Sequence, residues 1–423
     1  MLKRKRPLRK KMCRPNDHNV FYRVLNFERV AVLLVLVANF QPPVVLGQEL
    51  FQTSRPVMQM DSSVSIAAVG DLMLSSWAIP VLRAKGTDYP YLNTRAILNS
   101  ADAAIANLEA PFTEAGEPFE KKFNFKVPPE FARSLKTAGI NVVNLANNHI
   151  MDFGVSGLES TIETLYKYGV QHSGAGMNIE AAHVPAVLNL DGKRVAFFGY
   201  SMTFPTEFYA KEDSAGTAYP EAEQMVRDIS NWKGKVDFVI ASFHWSAEKR
   251  DTPKDYQIYF AHLAIDSGAD LVLGHHPHVL QGIELYKNKL IAYSVGNYAF
   301  ASYSKSAFDS IILKVYLNAR GLFLGYCVPI NVDNRYVEFQ PKLLQGEERQ
   351  AVITKLQRLS RPLNGGREII ENSGFIFGGW ADFGQDLLRQ TAVKSFFHAS
   401  DLSNFISETT TGDSAAIKAP VYN

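Results

Sequence analysis

The sequence predicts an α/β protein whose main sheet is largely parallel. Apolar segments of strand length, such as residues 64–69 and 140–145, alternate with segments of helical periodicity, such as residues 157–168. This alternation is typical of parallel strands joined by helices. Later apolar segments are separated only by short turns, which indicates hairpins, and hence antiparallel strands in a second sheet or on an edge.

The elements follow one another in a regular order along the chain. Each predicted strand is a short run rich in apolar residues, and each predicted helix repeats apolar residues every three or four positions, as Leu158, Ile162 and Leu165 do. Asp191-Gly192 is a strong hairpin turn, and a second turn is predicted at residues 287–289. The predicted strands are 64–69, 103–106, 140–145, 187–190, 194–199, 236–243, 269–273, 291–294, 311–317 and 322–330, and the helices are 129–138, 157–168 and 256–267.

The N-terminus differs in composition from the rest of the chain. Residues 3–14 are strongly basic, residues 30–38 form an unbroken apolar run, and small or apolar residues precede Gln48. This order is typical of a secretory signal peptide, so we expect an exported protein, with residues 1–47 as a cleaved signal or an uncleaved membrane anchor. A globular domain is predicted for residues 60–340, and a helical C-terminal extension with a frayed tail for residues 341–423.

Charge supports this division and excludes one class of partner. Residues 1–29 hold ten Lys/Arg and two acidic residues, so of the chain's net charge of +2 the remaining residues carry −6. A folded part without basic excess is not expected to bind nucleic acid. Of the two cysteines, Cys13 lies in the basic segment and Cys327 in a predicted strand, which leaves a processed chain without an internal disulfide.

Polar residues of similar chemistry follow five of the predicted strands. In open α/β sheets, ligands bind at the carboxyl ends of the strands, so we expect these side chains to converge. Carboxylate, amide and imidazole groups together suit Mn, Fe or Zn, whereas a thiolate site would need cysteines that the chain lacks. The residues are Asp71, Glu109, Asn148, His149, Asp152, His244, His275, His276 and His278.

Most of these residues have an ordinary structural explanation when taken singly. Asp71 could mark a strand end, Glu109 could be a solvated carboxylate, and His244 could be a core histidine. Residues 275–278 include three histidines in four positions, and packing alone gives little reason for so many imidazoles in one short segment. It is the consistent order of all five segments at strand ends that predicts a metal centre.

The same segments carry a resemblance to a known family. Gly-Asp at residues 70–71, Asn-Leu-Glu at 107–109, the segment 145–154, His-Trp at 244–245 and the segment 274–297 resemble the poly-gamma-glutamate capsule synthesis protein CapA family. That family is a branch of the calcineurin-like metallophosphatases. The resemblance covers residues 64–300 closely and implies a four-layer α/β/β/α metallophosphatase-like sandwich with mixed sheets.

The resemblance also implies roles for individual residues. Glu109 would bridge two metals, with Asn148, His244 and His276 completing one site and Asp71 and His278 joining Glu109 at the other. His149 resembles the imidazole that protonates a leaving group, and Asp152 would orient it. His275 is the alternative to His276 as a ligand. His276 is preferred because its spacing to His278 would put both on one face of an extended segment.

Two departures from the superfamily pattern affect the expected metal content. Met73 stands where the first motif usually has a histidine, and a thioether is a poor ligand for a hard metal. Glu109 replaces the usual bridging Asp and moves the carboxylate by one methylene. We therefore expect one tightly held divalent metal and a weaker second site near Asp71.

Three functions remain open at this point. The first is a hydrolase, in which a metal activates water against a phosphoester and His149 protonates the departing oxygen. The second is a non-catalytic protein that binds an anionic polymer or works with membrane-bound polymer synthesis machinery in an assembly or transport role. The third is a metal-free structural relic, which the retained histidines argue against. In each case we expect the protein in the cell envelope.

Overall fold

The computed structural model describes residues 63–378. The predicted signal or anchor at residues 1–47 and the predicted frayed tail lie outside this range. The strands are β1 (Val64–Met73), β2 (Ala103–Leu108), β3 (Ile140–Asn144), β4 (Gln171–Ser173), β5 (Ala175–Gly176), β6 (Ala186–Leu190), β7 (Lys193–Ser201), β8 (Gly216–Thr217), β9 (Phe238–His244), β10 (Leu271–His275), β11 (Ile283–Tyr286), β12 (Lys289–Ala292), β13 (Asn297–Phe300), β14 (Asp309–Asn318), β15 (Gly321–Asn331), β16 (Lys342–Leu343) and β17 (Phe375–Phe377).

The helices of the described residues connect these strands. Short 3₁₀ segments accompany them, and one of these, Pro129–Ala132, forms the first part of the helix predicted at residues 129–138. The α-helices are α1 (Ala78–Lys85), α2 (Arg95–Asn99), α3 (Arg133–Ala138), α4 (Gly154–Tyr168), α5 (Ile179–Ala182), α6 (Ala222–Trp232), α7 (Asp255–Ser267), α8 (Asn334–Val337) and α9 (Gly346–Ser360).

Sheet one is mixed and combines the first strands of the described residues, β1–β4, with the last, β13–β17. Its main order is β16-β15-β14-β1-β2-β3-β4, with β13 also pairing with β1 and β17 with β15. The neighbours β1, β2, β3 and β4 are parallel, whereas the hairpin of β14 and β15 adds antiparallel strands beside β1. The predicted parallel core and the later antiparallel strands are both present.

Sheet two has the order β11-β12-β10-β9-β7-β6. Its central strands β7, β9, β10 and β12 are parallel, and antiparallel hairpins occupy both edges. The hairpin of β6 and β7 turns at Asp191 and Gly192, which have φ of 46° and 79°. Positive φ at both positions is the type I′ geometry that Asp-Gly favours, as the sequence predicted. Lys287 and Asn288 turn the other hairpin, also with positive φ.

Three large apolar clusters and one small cluster form the core of the described residues, and the three large ones define four layers. In β1, Ile66 and Ala68 pack toward sheet two, whereas Ala67 and Val69 pack toward α1–α4. In β9, Ile240 faces sheet one and the residues on either side of it face α6 and α7. This alternation is the period of two expected for strands covered on both faces. The four-layer α/β/β/α sandwich is therefore confirmed.

The segment after residue 340 packs against the sandwich as far as it is described. Helix α9 buries Val352, Ile353 and Leu356 in the cluster between the two sheets, and β17 extends sheet one beside β15. The boundary of a separate C-terminal extension stays a prediction. Among residues 63–378, no helix has the length and apolar character needed to cross a membrane.

Candidate metal centre

The candidate site lies where the carboxyl ends of the parallel strands of both sheets meet. Asp71 is in register with Asn107 on β2 and with Asn297 on β13, so three polar residues lie side by side in sheet one. His275 is in register with His244 in sheet two. The site therefore combines oxygen-bearing side chains from one sheet with imidazoles from the other.

A close approach of β1 and β13 makes this arrangement possible. A Cβ atom on Gly70 would lie 1.9 Å from the carbonyl oxygen of Gly296, so only glycine fits at position 70. Gly296 itself has φ of 79°, which other residues rarely adopt. Packing therefore requires the glycine of the Gly-Asp motif, because it lets β1 and β13 approach closely enough for Asn297 to lie beside Asp71.

The carboxylates of sheet one are fully buried and are connected by an amide. Asn107 Nδ2 donates to Asp71 Oδ1 at 2.8 Å and lies 3.3 Å from Glu109 Oε2. Two carboxylates that share one donor repel each other unless cations lie nearby. The opposite sheet supplies such groups.

Imidazoles of sheet two face these carboxylates across the gap between the sheets. His278 Nδ1 lies 3.0 Å from Asp71 Oδ2, and His278 Nε2 lies 3.9 Å from Glu109 Oε1. His244 Nε2 lies 3.6 Å from the same Glu109 oxygen and 2.7 Å from Asn148 Oδ1. Glu109 therefore lies at the centre of the cluster.

The His-His-Pro-His segment reaches the site by a backbone route that the sequence did not reveal. His276 and His278 have φ of 93° and 60°, so the extended segment assumed for them is wrong. The turned backbone still brings the two rings within 5.9 Å of each other, and His276 within 4.7 Å of His244, between centroids. His275 is buried, with Nδ1 3.5 Å from Asp71 Oδ1. The choice between His275 and His276 as a ligand stays a prediction.

The donor atoms fit a divalent metal. Two groups of potential ligand atoms, each within 4.8 Å of one another, share Glu109: one adds His276 and His278, and the other adds Asp71 and His244. Atoms bonded to one ion at about 2.0–2.2 Å are at most about 4.4 Å apart, so small shifts would close either group around an ion.

Several of these atoms are buried without a hydrogen-bond partner among the described residues, a costly arrangement that a bound ion would relieve. These atoms are Glu109 Oε1, His244 Nδ1, His276 Nδ1 and both ring nitrogens of His275.

The electrostatics of the site also favour a cation. Burial lowers the pKa of His278, but Glu109 and Asp71 outweigh burial and raise that pKa to about 9. Burial, followed by repulsion from Asp71, raises the pKa of Glu109 well above its ordinary value. The contributions of Glu109 to the first shift and of Asp71 to both report a negative potential, which a divalent cation would neutralise.

His149 belongs to a separate trio beside the ligand cluster. Its Nδ1 lies 2.9 Å from Asp152 Oδ2 and 3.2 Å from Lys121 Nζ. Lys121 also forms an ion pair with Asp152 and donates to the carbonyl oxygen of Asn148. Since the Lys121 ammonium is itself a donor, a proton on Nδ1 of His149 can be shared only with Asp152. This arrangement leaves Nε2 for a bound molecule, and Nε2 then carries a proton only in the imidazolium form of the ring. Burial lowers the pKa of His149.

Comparison with known proteins assigns the family. The sequence model of the bacterial capsule synthesis protein PGA_cap matches residues 65–302, which is more than half of the chain. The chain belongs to this family. It is similar to the capsule biosynthesis protein CapA of Bacillus anthracis, with 28% identity over 72% of this chain and 76% of that one. It is also similar to the PGA biosynthesis protein CapA of Bacillus subtilis, with 30% identity over 66% of this chain and 75% of that one.

Solved structures of similar architecture include two nucleotidases. The NAD nucleotidase of Haemophilus influenzae aligns with 70% of this chain and 56% of its own, at a TM-score of 0.39 and 11% identity. The 5'-nucleotidase precursor of Thermus thermophilus aligns with 67% of this chain and 54% of its own, at a TM-score of 0.39 and 14% identity. The chain thus spans about half the length of these nucleotidases.

The structure brings close together all nine residues that the sequence singled out in this PGA_cap domain, with His149 and Asp152 beside the ligand cluster. It adds others that sequence reasoning missed as functional: Asn107 between the carboxylates, Asn297 with Oδ1 2.9 Å from His278 Nδ1, and Lys121 beside Asp152. Asn107 and Asn297 lie within the sequence motifs described above, and their strand positions could have identified them as candidate site residues. Lys121 lies in the polar run 120–122, where no periodicity marked it.

Proposed function

We propose that this chain acts in the synthesis of a capsule-type polymer of the poly-gamma-glutamate kind, outside the cytoplasm and in contact with membrane-bound polymer synthesis machinery. The names of its Bacillus relatives support the process. Two proteins of Mycobacterium tuberculosis with 30% identity over 49% of this chain are named probable polyglutamine synthesis accessory proteins. The basic and apolar N-terminal segments support export.

We further propose that the site is a metal-dependent phosphoesterase. The observation that carries this proposal is the central position of Glu109, which is shared by two groups of potential ligands drawn from both sheets. When bound, a divalent metal of the Mn, Fe or Zn type supplies Lewis-acid polarisation of the phosphoryl group and an activated water.

His149 is the proton donor of this proposal. In hydrolysis, the oxygen of water bonds to phosphorus and gives up its proton to solvent, the ester P–O bond breaks, and the departing oxygen takes a proton from Nε2 of His149 in its imidazolium form. Asp152 orients the ring through Nδ1, and Lys121 holds Asp152 in place. His149 lines the cavity beside the site, so a bound ester can reach it.

The proposed metal content is one tight ion and one weaker ion. Loss of the histidine usually found at Met73 would weaken the ion near Asp71. We keep Glu109, Asn148, His244 and His276 as ligands of the tight ion and Asp71 and His278 as those of the weak one. The distances differ from this division, because they group His276 with His278 and Asp71 with His244, each pair together with Glu109.

A second candidate is a non-catalytic protein that binds an anionic polymer or takes part in polymer assembly or transport. Met73 at the first motif favours it, because a weakened metal pair would bind phosphate better than it would cleave an ester. The printed names of the relatives describe biosynthesis or an accessory role rather than a reaction.

One experiment separates the two candidates. The purified protein is loaded with Mn²⁺, Fe²⁺ or Zn²⁺, its metal content is measured by elemental analysis, and turnover of a chromogenic phosphoester is followed. The phosphoesterase proposal expects bound metal and metal-dependent turnover. Bound metal with no turnover of any phosphoester would favour the polymer-binding candidate, and no bound metal under any loading would overturn both metal-based proposals.

A further inference from the structure

A cavity of about 710 Å³ opens beside the candidate metal centre. Part of its lining is the site itself, through His149, His278 and Asn297. Much of the rest is aromatic, which the metal chemistry does not require. These aromatic residues are Trp77, Phe123, Phe125, Phe300 and Tyr303.

Trp77 and Tyr303 form one aromatic wall. Their rings are stacked, with centroids 4.6 Å apart and an angle of 23° between planes. Phe339 packs edge-on against Trp77 at 5.4 Å and fixes the indole in place. Tyr303 nevertheless keeps 57% of its surface exposed. A fixed and stacked pair with one exposed ring offers a preorganised surface for a further flat group.

The other aromatic residues connect the metal centre to the opening of the cavity. Phe125 lies 4.8 Å from the ring of His149, and Phe300 lies 4.6 Å from that of His278, between centroids. Phe123 lies nearly parallel to Phe125, at 5°, and is 57% exposed. A group bonded to a phosphoryl group at His149 would therefore contact aromatic rings, beginning with the atoms closest to phosphorus.

The charges of the lining argue against an acidic polymer as the main occupant. Two exposed lysines, Lys249 and Lys305, are offset by Glu248 in the same lining. A groove for a polyanion would present a continuous row of cations. Outside the metal centre, this lining presents apolar rings with two lysines offset by one glutamate, which suits a small anion attached to an apolar group.

We propose that the substrate of this site is a phosphoester of an alcohol that carries a flat, unsaturated ring, and that the ring packs against Tyr303 and Phe123 while the phosphoryl group reaches His149. This inference rests on the proposed phosphoesterase function. It goes beyond that function by assigning the class of the leaving group and the residues that select it.

The first test compares two phosphonates that cannot be hydrolysed and that match in size and charge. Benzylphosphonate carries a flat ring, and cyclohexylmethylphosphonate carries a saturated one. Calorimetric titration of the Mn²⁺-loaded full-length protein should give a Kd about 3–10-fold lower for benzylphosphonate, since aromatic pairs gain affinity beyond their buried area. Equal affinities would overturn the proposal, as would binding of poly-glutamate without binding of benzylphosphonate.

Variants of exposed tyrosines show whether the preference arises in this cavity. Tyr303→Leu should reduce the preference for benzylphosphonate to less than about 2-fold. Tyr259→Leu is the matched control, because Tyr259 is 56% exposed on α7 and does not line the cavity. It should keep the full preference. An equal loss in both variants, or no loss in Tyr303→Leu, contradicts the proposal.

Failure of this inference can be distinguished from failure of the phosphoesterase function. If benzyl and cyclohexylmethyl phosphates are hydrolysed with equal kcat/KM, the site is an esterase but the assigned leaving group is wrong. If neither ester is hydrolysed and benzylphosphonate still binds more tightly, the cavity selects rings but the catalytic function is wrong. Absence of binding by both phosphonates overturns the inference whatever the turnover.

Discussion

The two sheets contribute chemically different halves of the candidate metal centre. Sheet one provides oxygen-bearing groups, with Asp71 and Glu109 as carboxylates and Asn148 as an amide. Sheet two provides imidazole nitrogens from His244 and His278. Within residues 63–378, neither half has by itself the mixed donor set that a borderline metal prefers. The site is therefore a product of sheet packing, and metal binding should stabilise the contact between the sheets.

The two halves also differ in how the sequence encodes them. On sheet one, Asp71, Asn107 and Asn297 lie in register on neighbouring strands, so ordinary strand pairing places them together. On sheet two, only His244 and His275 are in register. His276 and His278 depend on positive φ angles in the loop after β10. Strand pairing within sheet one therefore positions the oxygen-bearing residues, whereas the imidazoles of sheet two depend partly on the backbone conformation of the loop after β10.

The largest expected effect comes from removing a central imidazole of sheet two. His244→Asn should lose both the metal and all measurable turnover, because the change removes a ligand rather than a proton donor. Elemental analysis after gentle dialysis should fall from close to one metal per chain toward zero. His172→Asn, at a partly buried histidine of β4, is the control and should retain the ion. Two equally retained ions in the wild type would contradict the expected inequality of the sites.

The next effect separates proton donation from metal binding. His149→Asn should reduce turnover by about 10²–10⁴-fold, the usual contribution of general acid catalysis, and leave the metal content nearly unchanged. His183→Asn is a matched control, because His183 Nδ1 also lies close to a carboxylate, 2.7 Å from Asp228. It should keep full turnover. Loss of the metal in His149→Asn would make His149 a ligand and the role assigned here wrong.

A smaller effect is expected from the amide that supports His278. Asn297→Ala should weaken metal affinity by about 10–100-fold, as removal of groups that orient ligands typically does. Affinity is measured by competition with a chelator. Asn364→Ala is the control, since Asn364 is an equally buried amide that bonds to backbone carbonyls near β11. Equal affinity in wild type and Asn297→Ala would show that the register of β1 and β13 does not support the site.

The smallest effect is expected at Lys314, a buried lysine of sheet one that lies outside the metal centre. Burial lowers the pKa of Lys314 to about 8. Because the folded state binds this proton more weakly than the unfolded state does, stability should rise as pH increases from about 8 toward the ordinary value near 10.5. Lys314→Met should raise Tm by about 2–4 °C at pH 7, with a smaller gain at pH 9.5, and leave metal affinity unchanged. A variant less stable than wild type at pH 7 would show that the bonds from Lys314 to Ser100 outweigh the cost of burial.

Much of the fold could be predicted because local signals agreed with the tertiary structure. The apolar run at 64–69 became the first part of β1, and Asp191-Gly192 became a type I′ turn. Strand ends were less accurate: β1 continues to Met73, so Asp71 lies inside the strand rather than after it. Apolarity marks only the central part of a strand whose polar end is buried against a second sheet.

The main residues of the candidate site could be predicted from the sequence, whereas their arrangement in space could not. Strand-end position identified Glu109 and His244 without any knowledge of the second sheet. Lys121 and Asp152 are 31 positions apart, with α3 and β3 between them, and no residue pattern encodes such a contact. The positive φ of His276 was likewise invisible, because this conformation is imposed by contacts such as the bond from the backbone N–H of His276 to Asp71.

The central claim is that both sheets hold the same ion, and anomalous diffraction from crystals grown with Mn²⁺ tests it most directly. We expect a strong peak about 2.0–2.2 Å from Glu109 and from at least one imidazole of sheet two. A second, weaker peak near Asp71 is expected under the same conditions. A peak bound only by residues of one sheet, or no peak within reach of Glu109 at saturating Mn²⁺, would contradict the account.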